Sequence, residues 1–118
     1  MTDRKLEGKT ALVTGANRGL GAAFVEALVA REVRTVHAGA RDPGKLKPLL
    51  ERFPGRVEAL RLDVTNSAQI RDAGQRLTTI DLVISNAGVT YMTPLLETNV
   101  DEARKVMETN YFGPLQIV

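Results

Sequence analysis

The chain has 118 residues and a formal net charge of +2, with acids and bases scattered rather than blocked. Nothing in that balance argues for nucleic acid or an anionic membrane as partner. It has no cysteine, which excludes disulfide frameworks, thiolate metal sites and thiol nucleophiles. The length suits one domain spanning 1–118. The polar opening residues are unlike a secretory signal, and no apolar run approaches membrane-spanning length, so a cytoplasmic chain is expected.

Lys9 to Thr14 reads as a first strand, because Ala11-Leu12-Val13 is a short, continuous apolar run of the kind buried on both faces of a parallel sheet. Thr14-Gly15-Ala16-Asn17-Arg18-Gly19-Leu20-Gly21 follows and reads as a phosphate-cradling turn. Gly15 permits the sharp reversal, Gly19 lets backbone pass close to a pyrophosphate, and Gly21 lets the next helix seat tightly on the strand. Free N–H groups and the helix dipole would meet the phosphates. The competing reading is an ordinary glycine-rich turn between strand and helix.

Gly19 to about Arg31 is expected to be helical, with Phe24, Ala27, Leu28 and Arg31 on one face. Val33 to Ala40 is a second strand, holding the only histidine, His37, in a structural position. Asp42-Pro43 resembles an N-cap and first helical residue, and Pro48 makes the second helix short or irregular. Val57 to Leu62 is a third strand ending at Asp63. Asn66 to about Leu77 is a third helix, with Asn66 and Gln69 spaced as a capping box. Ile80 to Ile84 is a fourth strand, and Asn99 with Glu102 starts a fourth helix. This alternation predicts an α/β, Rossmann-like doubly wound parallel sheet, truncated after about four strands and ending within the fourth helix.

Thr14 to Gly21, Asp63-Val64 and Ser85-Asn86-Ala87-Gly88, taken in this order, resemble the classical short-chain dehydrogenase/reductase family. The family's Asn-Asn-Ala-Gly strand end has Ser85 in place of its first Asn. The resemblance implies a nicotinamide dinucleotide on Gly15, Asn17, Arg18, Gly19, Leu20 and Gly21. It implies Asp63 and Val64 at the adenine edge, and Asn86, Ala87 and Gly88 beneath the nicotinamide ribose. Asn110 matches the family's fourth-helix Asn. Pro114, lacking an N–H, would kink that helix and free the Asn110 carbonyl for a proton-relay water. A surface amide on a helix broken for packing is the alternative for Asn110.

The end of the second strand, Ala40-Arg41-Asp42, bears on the choice of cofactor. A carboxylate there suits the ribose hydroxyls of NAD, whereas an Arg suits a 2′-phosphate. Ala40 falls where NAD-preferring relatives place the acid. Arg41 and Arg18 fall where NADP-preferring relatives place bases, so NADP(H) is the expected cofactor. NAD(H) stays open through Asp42.

The family's chemistry needs a Tyr with a Lys four residues on, and a Ser. Tyr91 is followed by Leu95 and Tyr111 by Leu115, while neither Ser67 nor Ser85 fits the catalytic position. The expectation is the cofactor-binding portion of an oxidoreductase acting on alcohols or carbonyls, binding without turnover by itself. The rivals are a non-catalytic dinucleotide-binding module and an interaction protein. An unpaired fourth-strand edge and a helix face of Val106, Phe112 and Ile117 predict self-association or a complementary chain.

Overall fold

A computed structural model describes residues 4–118. Its strands are β1 (Thr10–Val13), β2 (Thr35–Ala40), β3 (Val57–Arg61) and β4 (Leu82–Ile84). They form one parallel sheet in the order β3-β2-β1-β4. That order reverses direction between β1 and β4, as it does at the centre of a doubly wound sheet.

Every strand is shorter than the range expected for it, and residues at the entry edge serve as ties between elements. Thr10 N–H donates to the Asp81 carboxylate (2.9 Å), and Arg34 N–H donates to the Lys9 carbonyl (2.8 Å). Asp81 and Arg34 thus pin the entry edge of the sheet instead of extending it.

Helix α1 (Gly19–Ala30) buries Gly21, Val25 and Leu28, with Phe24 and Val29 at the margin. The buried face is centred on Val25, one position from the expected stripe, and Arg31 is an exposed C-cap. Glu32, at φ 63°, takes the left-handed position that glycine usually fills. It holds that position while the Val33 N–H bonds the Leu28 carbonyl at 3.2 Å and the buried Val33 side chain closes the core.

Asp42 caps a 3₁₀ turn, Pro43–Leu46, by accepting from the Gly44 N–H at 3.0 Å. Pro48 then sits in the first turn of the short α2 (Lys47–Arg52), where its missing N–H costs nothing. α1 and α2 cover one face of the sheet, against Ala11, Val13, Val36, Ala38 and Val57. α3 (Ser67–Arg76) covers the other, with Ile70 and Ala73 on Leu12, Leu60 and Leu62. His37 lies opposite Glu58 on β3, with Nδ1 3.5 Å from the carboxylate.

The capping box at Asn66 is only half formed. Asn66 Oδ1 accepts from the Gln69 N–H (3.1 Å), but the Gln69 side chain turns to the Asp63 N–H (2.7 Å) instead of closing the box. α4 (Val100–Met107) starts at Asn99, whose Oδ1 accepts from the Glu102 N–H at 2.8 Å. A widened π turn, Glu108–Phe112, joins it to α5 (Gly113–Ile117). The expected kink is therefore a widened turn, which accommodates the Pro114 ring without breaking the path of the helix. Val106 and Ile117 are half-buried, so the exposed apolar face belongs to Met107, Tyr111, Phe112 and Leu115.

Candidate dinucleotide site

The ends of β1 and β4 are stitched into one floor. Thr14 is fully buried, and its Oγ1 accepts from the Asn86 N–H (2.9 Å) and the Ala87 N–H (3.0 Å). In return, Asn86 Nδ2 donates to the carbonyls of Thr14 and Gly15, at 3.2 Å each. The Asn86 side chain is thereby committed to the scaffold.

Gly15, at φ 62°, approaches so closely that a Cβ there would lie 2.9 Å from the Ala87 Cα. A Cβ on Gly21 would overlap the Gly15 carbonyl oxygen and come within 2.6 Å of Asn86 Nδ2. Gly19, at φ 55°, has open space where its Cβ would point. The helix that begins there has Arg18 as N-cap with no side-chain hydrogen bond to its first turn. Its leading N–H groups lack the side-chain acceptor that usually satisfies them, which is the condition for anion binding at a helix N-terminus.

Above this floor, at the C-terminal ends of the strands, lies a cavity of about 660 Å³. That is within the range of small-molecule sites. Gly15, Arg18, Gly19 and Leu20 line it from the turn, Arg41 from the end of β2, and Asp63 and Val64 from the end of β3. Asn86, Ala87 and Gly88 complete the floor. Ten of the thirteen residues expected at the site therefore face one space. Asn17, Gly21 and Asn110 lie outside the lining: Asn17 is half-buried in the turn, and Gly21 sits beneath it as the helix seat.

Asn110 stands behind the wall. Its Oδ1 accepts from the Val89 N–H (2.8 Å) and its Nδ2 donates to the Val89 carbonyl (2.7 Å). This two-way clasp fixes the segment after β4, and the π turn of Glu108–Phe112 carries it. Pro114 cannot donate to the Asn110 carbonyl four residues earlier.

Other residues at the site carried no sequence signal that singled them out. α4 and the π turn contribute Arg104, Lys105, Glu108 and Thr109 to the wall. Gly113 packs so closely that a Cβ would lie 2.7 Å from the Val64 carbonyl oxygen. A glycine before Pro114 was the only hint of that approach.

Bases outnumber acids around the cavity, with Arg18, Arg41, Arg104 and Lys105 against Asp63 and Glu108. Among the described residues none of these bases has an ion-pair partner. Asp42, next to Arg41 in the chain, caps its own turn and does not line the cavity. No cluster of metal-ligating side chains occurs among the described residues, and none of the helices searched there is long and apolar enough to cross a membrane.

A parallel sheet in this order, with a glycine turn and an uncapped helix N-terminus facing a cavity at the switch point, defines the Rossmann-like class. The family model for short chain dehydrogenase matches residues 9–118, and the chain belongs to that family. Among curated relatives, the 3-oxoacyl-[acyl-carrier-protein] reductase FabG of Salmonella typhimurium is 34% identical over 88% of this chain and 44% of its own length. Among solved structures, a short chain dehydrogenase from Burkholderia cenocepacia in complex with NADP is 44% identical, with a TM-score of 0.86. That match covers 95% of this chain and 46% of the other. An NADPH-bound carbonyl reductase from chicken fatty liver is 31% identical at a TM-score of 0.81, over 95% of this chain and 49% of the other. The chain thus spans less than half the length of these relatives.

Proposed function

We propose that this chain is the NADP(H)-binding portion of a short-chain oxidoreductase that moves hydride between a nicotinamide cofactor and an alcohol or carbonyl. The observation that carries the choice of cofactor is the pair Arg18 and Arg41, which line the cavity and have no ion-pair partner among the described residues. Ala40 leaves the end of β2 without a carboxylate, and Asp42 is engaged at Gly44. A 2′-phosphate suits a pair of guanidiniums, whereas the ribose hydroxyls of NAD favour a carboxylate at the end of β2, where this chain has Ala40. The solved relatives named with NADP and NADPH support the same reading.

In this reading Gly15, Asn17, Arg18, Gly19, Leu20 and Gly21 form the diphosphate cradle. Asp63 and Val64 take the adenine, and Asn86, Ala87 and Gly88 lie under the nicotinamide ribose. The cofactor, when bound, supplies or accepts the hydride. Asn110 would offer a water its main-chain carbonyl, since its side chain already holds Val89. No Tyr-x-x-x-Lys pair occurs in the sequence, so the chain by itself binds dinucleotide without turning it over. Tyr, Lys and Ser would have to come from a further segment or a complementary chain.

Calorimetric titration with NADPH and NADH tests this. Arg41→Asp is expected to weaken NADPH by about 10- to 100-fold, the worth of a charge-assisted contact, while leaving NADH unchanged or improved. An unaltered preference for NADPH in the variant would refute the assignment of Arg41. Binding of neither dinucleotide to the folded parent chain would remove the cofactor reading altogether.

A further inference from the structure

We infer that Thr65 is a positioning residue that orients the Asp63 carboxylate so that the site reads the amino group of the cofactor's adenine. This rests on the dinucleotide reading above. Asp63 is held at three points. Its N–H donates to Gln69 Oε1 (2.7 Å), and its carbonyl accepts from the Asn66 N–H (2.9 Å). Its side-chain Oδ1 accepts twice from Thr65, from the N–H at 2.9 Å and from the hydroxyl at 2.6 Å. Oδ2 has no hydrogen-bond partner among the described residues. Asp63, Val64 and Thr65 all line the cavity.

The backbone N–H of Thr65 is enough to close the local turn. The hydroxyl adds a second bond to the same oxygen, and that bond decides which oxygen is spent on the protein and which is left for a ligand. An ionised carboxylate only accepts, so the remaining Oδ2 favours a ligand donor and disfavours an acceptor in its place. The adenine amine is such a donor, and the oxo group of hypoxanthine is the corresponding acceptor. Gln69 serves the same end on the main chain: by leaving the capping box open, it ties the end of β3 to α3. With the Thr65 hydroxyl removed, the carboxylate turns more freely and loses its selectivity between donor and acceptor.

The experiment titrates the 118-residue chain by calorimetry with NADPH and with its hypoxanthine counterpart, in the parent, Thr65→Val and Thr65→Ser. The parent is expected to bind NADPH at least about tenfold more tightly than the hypoxanthine form. Thr65→Val is expected to cut that ratio to about two- or threefold by weakening NADPH alone, and Thr65→Ser to restore it. Thr65 is exposed, so the variants should fold, and Thr65→Ala provides a second side chain without a hydroxyl. Equal weakening of both ligands in Thr65→Val, with the ratio intact, would mean a purely structural role and would overturn the inference. Equal binding of both ligands by the parent would also overturn it while leaving the dinucleotide reading in place. Binding of neither would bring down both.

Discussion

Two glycines within helices of this chain face opposite surroundings, and substitution should separate them. Gly21 lies under the phosphate turn, where a Cβ would run into the Gly15 carbonyl oxygen and crowd the Asn86 amide. Neither neighbour can yield, because Thr14 and Asn86 lock both into the floor. Gly21→Ala should therefore cost about 2 kcal/mol, in the range of overpacked sites. Gly74, in the interior of α3, has nothing within 4 Å of a Cβ. There Ala should gain about 0.5–1 kcal/mol, through helix propensity and a less free unfolded chain. Urea unfolding of the two variants checks this; shifts of the same sign would contradict it. The role of Gly21 was legible in the sequence because it is fixed by spacing within a local motif. The role of Gly113 was not, because the carbonyl it approaches belongs to Val64, far away in the chain.

At the scale of elements, the order of strands and helices followed from apolar runs, prolines and caps, all of which act locally. The misjudged features were those decided by packing and by a choice between competing partners. β2 begins at Thr35 rather than Val33, because Val33 packs at the end of α1. Gln69 abandons its own helix cap for Asp63, and the π turn answers both Pro114 and the clasp on Val89. That clasp makes an element-level prediction. Asn110→Ala removes both bonds to Val89, so the segment after β4 should loosen while the sheet itself holds. Exchange of the Val89 amide should rise by about tenfold, the equivalent of one lost hydrogen bond. Protection of the β1 amides should not change. An unaltered Val89 amide would show that the loop is held by something other than Asn110.

The whole molecule is more extended than its length requires. Its radius of gyration is 15.3 Å, against about 13.5 Å expected for a compact domain of this size, and its long axis reaches 50 Å. The excess accompanies α4, which buries no residue completely, and the segment before it. There Met92 is 95% exposed, Leu95 88% and Leu96 98%, and Val100 is exposed as well. These side chains follow one another closely along the chain and form more apolar surface than a stable monomer usually shows. β4 adds to this, since it pairs with β1 alone and leaves its other edge open among the described strands. Self-association is the expected response. The weight-average mass in sedimentation equilibrium should rise with concentration across the micromolar range. Leu95→Ser with Leu96→Ser should shift that rise to higher concentration without changing NADPH affinity, because neither leucine lines the cavity. A parent chain that stays monomeric at high concentration would mean that this surface is tolerated in water. Weakened association accompanied by lost NADPH binding would instead mean that contacts between chains help to form the site.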